Sequence, residues 1–451
     1  MTDPTPVSLV HLGCARNLID SELILGRLAD EGLAITGDPA LAHTVVLNTC
    51  SFIGPARAES EQAINDLVAR KQRGEIERVV VAGCLVQSFK RELTKRFPGV
   101  DMFAEISDGK ALAKGIRSMA RGRSFKAYLE SPGLREAGRD GSRLLSTPRS
   151  FAYLRISHGC DHTCSFCAIP GIRGKHRSKR PGDLVAEARE LIDLGVRELV
   201  LVAEDSTAWG RDMDLELPSL VEALAELDGD HRLRVMYAYP NNFPWELATL
   251  LREHPRVVPY LDMPLQHIAT PVLRAMRRAG SGDQVRRLID RLRTEVPNLT
   301  LRTTLLMGFP GETAADAAEV PEFVRSYGLG RVGAFVYSPE ENTPSFGLPG
   351  EVPEEVAEER YYAVIEARDE VLRGQQEALI GRELDVLVDE AAPDVNAHAV
   401  GRTDMDAPEV DLVCRIADCD AQAGEVVRVR VEAVDDSLDL VASPVREVHK
   451  S

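Results

Sequence analysis

Short apolar runs that alternate with helix-like stretches occupy most of the chain, and this alternation restricts the fold more than any other feature. Three such runs open it: "PVSLVHLGC", "HTVVLNTC" and "RVVVAGC". Six more follow: "AYLRIS", "ELVLVA", "RLRVMYAY", "VPYLDMP", "LRTTLLMGF" and "RVGAFVYS". A strand buried on both faces reads as a continuous apolar run, and strand–helix alternation implies parallel sheets covered on both sides. Between the two groups lies "YLESPGLREAGRDGSRLLSTPRS", rich in Gly, Pro, Ser and Arg and without a periodic apolar face, which reads as a linker. Six βα units are two short of a closed eight-stranded barrel, so the second group is read as a partial, open (βα)6 barrel. The helical "PEEVAEERYYAVIEARDEVLRGQQEAL" then leads to short alternating strands, "ELDVLVDE", "HAVGRT", "EVVRVRVEAV" and "LDLVAS", which suggest a small OB-like β-barrel. The fold class is α/β, with an N-terminal parallel α/β domain over 1–125, a linker over 126–150, the partial barrel over 151–373 and the small β domain over 374–451. A length of 451 residues suits this division, since domains hold roughly 100 to 200 residues each.

Six of the eight cysteines stand where such a fold keeps its ligands. Cys14, Cys50 and Cys84 each end one of the first three apolar runs. Parallel sheets bind ligands beyond the carboxyl ends of their strands, so the three would meet along one edge as a shared metal site. The plainer reading is that each is a small buried hydrophobe. Cys160, Cys164 and Cys167, spaced C-x3-C-x2-C in "GCDHTCSFC", follow the first barrel strand, at the end where barrel enzymes keep their active sites. Thiolates suit iron–sulfur clusters or zinc. Zinc would need a fourth ligand, which His158, His162 or His176 could supply. Three cysteines on a cubane cluster instead leave one iron open to a substrate. Cys414 and Cys419 have no partners at a suitable spacing and read as structural. The start "MTDPTPVSLVHLG" lacks a signal peptide's blocks, and no apolar run approaches the ~20 residues of a membrane span, so a cytoplasmic, reduced setting is expected. The net charge of -17 disfavours loose binding to nucleic acid and favours a basic partner.

With Phe166 before its last cysteine, the triplet resembles the signature of the radical S-adenosylmethionine enzymes. The resemblance implies that the open iron of a 4Fe-4S cluster chelates S-adenosylmethionine, and that an electron from the cluster breaks the sulfonium bond to give a 5'-deoxyadenosyl radical. The three-part order, with "HLGCARNLIDSE", "LNTCSFI", "AGCL", "GCDHTCSFCAIPGIRG", "LMGFPGET" and "VYSPEENTP", is similar to the methylthiotransferases over essentially the full length. Their C-terminal β domain is TRAM-like. That resemblance implies a second 4Fe-4S cluster on Cys14, Cys50 and Cys84 that carries the sulfur to be inserted, and an unactivated C–H position as its target. It also implies a reducing electron donor and a sulfur source.

Methylthiotransferases modify either a tRNA adenosine or an aspartate of the twelfth protein of the small ribosomal subunit. From Gln375 to Ser451 the chain holds 18 acidic and 7 basic residues, a balance that should repel phosphate and attract a basic ribosomal protein. "YLDMPLQH" and "GRTDMDAPEVD" also resemble the ribosomal-protein class, which makes Gln266, His267, Asp404, Asp406, Glu409 and Asp411 candidates for substrate contact; the plainer readings are that Gln266 and His267 satisfy loop backbone and that the acidic surplus is a solvated surface. An iron–sulfur electron carrier is the alternative of a different kind. For the cosubstrate, the candidates beside Phe166 are Glu204, where the family more often has glutamine, and Asp205, as a ribose acceptor or the cap of a turn. Arg302 could meet a carboxylate or be pointed outward by strand alternation, and Gly308, with Gly311, allows close backbone approach or a turn. The basic run "RGKHRSKR" reads as a contact to substrate or as a solvated loop.

Overall fold

A computed structural model describes residues 6–106, 109–131, 137–278, 280–394 and 397–445. The first domain is a wholly parallel sheet of β1 (Pro6–His11), β2 (Ala34–Ile35), β3 (Thr44–Thr49), β4 (Arg78–Gly83), β5 (Met102–Ala104) and β6 (Tyr128–Leu129). Their order is β2-β1-β3-β4-β5-β6, so the three apolar runs lie side by side in the middle. All of β3 is buried because helices cover both faces. Val46 and Val80 pack against the helices Ala15–Asp30 and Gly109–Ala120, while Val45 and Val81 pack against Gly54–Gln72. Each such side chain contributes about 1.5–3 kcal/mol by leaving water.

The stretch expected to be a linker supplies β6. Tyr128 is buried there, donates its hydroxyl to Glu105 at 2.7 Å and receives the Arg91 guanidinium 4.7 Å from its ring centre. Farther on, Arg143 is tied to Glu22 and donates to the Tyr153 carbonyl at 2.9 Å, so this segment is packed between the first two domains.

The second domain carries β7 (Phe151–Arg155), the ribbon of β8 (Ser157–His158) with β9 (Arg177–Ser178), then β10 (Glu198–Val202), β11 (Arg232–Val235), β12 (Val257–Asp262), β13 (Thr300–Met307) and β14 (Arg331–Val336). Apart from the ribbon these strands are parallel in the order β14-β13-β12-β11-β10-β7, an open sheet of six, as the six βα units imply. β13 alternates: Leu301, Thr303, Leu305 and Met307 are buried on one face, and Arg302, Thr304 and Leu306 are half-buried on the other.

The third domain is a closed barrel of β15 (Glu383–Glu390), β16 (Ala399–Arg402), β17 (Cys414–Ile416), β18 (Val426–Val434) and β19 (Leu440–Pro444), ordered β15-β16-β17-β19-β18. The sequence showed four of these strands. β17 is three residues long, and it puts Cys414 in the barrel's apolar core, where Cys419 also lies. The other two domains pack against one face of the partial barrel. Ile19 and Leu23 of the first helix and Ala407 of the third domain pack with Tyr153, Val200 and Tyr260.

Candidate functional site

Three of the six cysteines directly follow a glycine, at Gly13, Gly83 and Gly159, with φ of +103°, +100° and +73°. Only glycine takes such angles without steric cost. A Cβ at 13 would come within 2.8 Å of the Cys50 Cβ, and one at 83 within 2.6 Å of the Thr49 carbonyl. The glycines therefore let strand-end loops crowd together. Cys14 precedes the helix Ala15–Asp30, Cys50 follows β3, and Cys84 opens the helix Cys84–Phe89 directly after β4. Two buried amides brace these loops. Asn17 Nδ2 donates to the Leu12 carbonyl at 2.6 Å and the Thr49 carbonyl at 3.2 Å, and Asn48 Nδ2 donates to the Asn17 carbonyl at 2.9 Å and Ser21 Oγ at 2.8 Å.

The second triplet is fixed by its own loop and by the barrel. The Cys160 N–H donates to the Gly174 carbonyl at 3.0 Å, and Ser165 donates through N–H to Met276 and through Oγ to Ala275, at 2.9 and 2.8 Å. His162 bonds Asp205 Oδ2 at 2.7 Å and stacks on Tyr239, ring centres 3.7 Å apart. Arg278 lies over the same tyrosine at 4.1 Å and points Nη1 at Cys164 Sγ, 3.6 Å away.

Two arginines join the triplets. Arg16, two residues past Cys14, donates to the Ala203 carbonyl beyond the end of β10 at 2.9 Å. Arg173, six residues past Cys167, reaches into the first domain and places Nη2 3.4 Å from Cys84 Sγ. The surrounding protein bulk works against a Cys14 thiolate, although the residue is open to solvent, but Arg16 and Arg173 outweigh it and lower the thiol's pKa. Burial raises Cys50, pushes Cys84 up to about 11 against the pull of Arg173, and pushes Cys160 and Cys167 up to about 12 and about 11.

The donor set tests which metal fits. Among the described residues no three His, Cys, Asp or Glu side chains converge as the ligands of a single ion do. His162 is committed to Asp205, and His176 bonds Ser178 Oγ at 3.1 Å, so zinc finds no fourth ligand in either. A cubane spreads its thiolates over separate corners and wants sulfur anchors throughout. Two all-thiol triplets, each with a guanidinium aimed at a sulfur, fit that group.

The other expected residues fall into two sets. Phe166 lies against an apolar patch that includes Met276 and Phe309. Glu204 has a buried Oε2 without a hydrogen-bond partner, and its charge acts on both Arg16 and Arg173. Gln266 takes φ +74° and bridges by its backbone to Thr304 and Leu306 at 2.8 and 2.7 Å, its side chain half-buried. These three stand near the open end of the barrel.

The remaining candidates make contacts within the protein. Asp205 caps a turn, accepting from the Thr207 N–H and hydroxyl at 2.9 and 2.6 Å; burial would raise its pKa, but His162 and Thr207 hold it below the usual range. Arg302 pairs with Asp262 at 2.9 Å and Asp411 at 3.3 Å. Gly308 turns at φ +80° under Ala357 and gives its N–H to Glu312 at 3.0 Å. His267 has no solvent exposure: Nδ1 accepts from the Ala269 N–H at 3.0 Å, and Nε2 faces the same Glu312 at 3.5 Å. It braces the "GFPGE" turn. Among the tail acids, the side chains of Asp406 and Asp411 are buried, while Asp404 and Glu409 are exposed. Asp404 pairs with Arg232 at 2.6 Å, Asp406 is buried against Arg331 at 2.9 Å, Glu409 accepts from the Tyr153 hydroxyl at 2.7 Å, and Asp411 from the Tyr260 hydroxyl at 2.6 Å. The loop docks onto the barrel because the inner strand residues present the matching arginines and tyrosines.

An open parallel barrel with a three-cysteine loop after its first strand is the build of the Radical SAM superfamily, whose description matches residues 154–324. Residues 6–105 match the Uncharacterized protein family UPF0004, and residues 380–445 the TRAM domain. In its fold the chain is similar to a radical S-adenosylmethionine methyltransferase, TsrM, from Kitasatospora setae, with a TM-score of 0.55 at 17% identity over 76% of this chain and 77% of that one. The ribosomal protein uS12 methylthiotransferase RimO of Trichlorobacter lovleyi is 40% identical over 98% of both chains. The protein of that name from Sorangium cellulosum is 41% identical over 96% of this chain and 90% of its own. The chain belongs to the RimO family of methylthiotransferases.

Proposed function

We propose that the chain inserts a methylthio group at the β-carbon of an aspartate in ribosomal protein uS12. The observation that carries this reading is the opposition of two all-thiol sites joined by Arg16 and Arg173, on a chain whose relatives bear that activity in their names. Cys160, Cys164 and Cys167 would hold one 4Fe-4S cluster at the barrel mouth, and Cys14, Cys50 and Cys84 a second. When bound, the clusters and S-adenosylmethionine supply the electron, the radical and the transferred methylthio group. The protein's part is to bind, orient and keep out water. Arg278 and Arg173 donate toward sulfur, Phe166 gives the triplet an apolar wall, and the free Glu204 oxygen offers an acceptor to a cosubstrate donor. Gln266, at the end of β12's loop, is the remaining candidate to meet the substrate.

The relatives' names favour the ribosomal protein over a tRNA adenosine and over an electron carrier. Turnover needs a reducing electron donor and a sulfur source, and the setting is the cytoplasm beside the ribosome. Among the described residues no helix is long and apolar enough to cross a membrane. The division of labour is tested by the Cys14, Cys50 and Cys84 triple Ala variant. It should cleave S-adenosylmethionine to 5'-deoxyadenosine and make no methylthio product; normal product from the folded variant would remove the second site from the reaction.

A further inference from the structure

We infer that Arg173 is a positioning residue for the thiol site of Cys14, Cys50 and Cys84, holding Cys84 in register with the barrel through a buried chain of ion pairs. The inference rests on the reading that those cysteines hold a cluster. Arg173 ends the short helix Ile169–Arg173, so the cysteine loop of the second domain carries it, yet its guanidinium lies in the first. While Nη2 points at Cys84 Sγ, Nη1 donates to Asp20 Oδ2 at 2.6 Å. Asp20 Oδ1 accepts from Arg155 Nη1 at 2.7 Å, and Arg155 Nη2 meets Asp140 Oδ1 at 3.1 Å. Asp140 Oδ2 accepts from Lys179 Nζ at 2.7 Å, and Lys179 also donates to Glu187 Oε2 at 2.8 Å.

The chain Arg173–Asp20–Arg155–Asp140–Lys179–Glu187 alternates in sign, and all six residues are buried. It links the first domain's helix, the first barrel strand, the connecting segment, two residues of the basic run, and the helix Pro181–Asp193. Such a chain adds little net stability, because desolvation offsets much of the Coulomb attraction. A shifted register, however, would leave buried charges unpaired, which costs far more. The network therefore suits the fixing of one geometry between the two cysteine sites, and Arg173 is the member that touches a thiol. A sulfur bound to iron carries negative charge, and an N–H donor with positive charge beside it favours the more reduced state.

The test uses the full chain in a background where Cys160, Cys164 and Cys167 are Ala, so that the other cluster is read alone after anaerobic reconstitution. The midpoint potential is followed by electron paramagnetic resonance for Arg173, Arg173→Lys and Arg173→Gln. The Gln variant should shift to more negative potential and the Lys variant should fall between, while Lys175→Gln, which removes an exposed charge of the same run, should leave the potential unchanged. If Arg173→Gln does not fold, the Lys variant decides: a negative shift supports the role and none overturns it. A folded Gln variant with the parent's potential overturns the inference and leaves the cluster site standing. A background protein that takes up no iron overturns both.

Discussion

Replacing Glu198 with Gln should release the third domain from the barrel. Glu198 opens β10 without solvent exposure. Its Oε2 accepts from Arg232 Nε at 2.5 Å, and its Oε1 from Arg234 Nε at 2.9 Å and from Arg402 Nη1 of the third domain at 3.1 Å. Burial opposes the charge, but the three guanidiniums outweigh it and hold the carboxyl well below its usual range. Gln keeps the shape and loses the charge. Arg402 retains Asp389 at 2.7 Å and Arg232 retains Asp404, whereas Arg234 is left buried with the Asp404 carbonyl and the face of Tyr260. Removing one partner of a buried pair costs about 3–5 kcal/mol, or roughly a 100- to 4,000-fold rise in the undocked population. Native-state proteolysis reads that population when reclosing outpaces cleavage. Cutting between barrel and third domain should therefore accelerate at least ~100-fold. Glu383→Gln, which unpairs the exposed Arg430, should change the rate less than about fivefold, since exposed pairs contribute about 0–1 kcal/mol. A Glu198→Gln protein cut as slowly as its parent would refute the docking role.

The gap in protease resistance between parent and Glu198→Gln should stay constant above about pH 5 and shrink below the unfolded glutamate value of about 4.3, because a depressed carboxyl loses its stabilisation as pH falls through its folded pKa; a gap that widens in acid would contradict the assignment. Changing Cys160, Cys164 and Cys167 to Ala should leave about half the iron and sulfide of the parent, since thiolates are the cluster anchors, and loss of all or none would argue against separate sites. Gly308→Ala should lower the thermal midpoint, as a Cβ there collides with Ala357 at a strained φ, a cost of about 1–3 kcal/mol; an unchanged midpoint would mean that the turn can yield.

The sheets, and the placement of Cys14, Cys50 and Cys84 at strand ends, were legible because both follow from near-neighbour pattern: an apolar run with a thiol just beyond its end. β6 and β17 were not, being two and three residues long and held by neighbours rather than by their own periodicity. The tail acids mark a deeper limit. A charge count gives the surplus but not the location, and Asp411 meets Tyr260 across 151 residues of sequence. The same holds for Arg173, which looked like one member of a solvated basic run until the fold set it 3.4 Å from Cys84, 89 positions away. "CARNLIDSE" did carry a usable signal. Asn17, Asp20, Ser21 and Glu22 are polar residues on the inward side of a helix, and each is buried against the cysteine loops or the barrel.

The measurement that bears most directly on the assigned activity is mass spectrometry of both substrate classes after reaction with the reconstituted protein. Ribosomal protein uS12 and tRNA are each incubated anaerobically with the protein, S-adenosylmethionine, sulfide and a strong reductant, then digested. The account predicts that one aspartate peptide of uS12 gains one carbon, two hydrogens and one sulfur, with 5'-deoxyadenosine formed alongside and the tRNA nucleosides unchanged. A methylthio adenosine in the tRNA together with unmodified uS12 would contradict it.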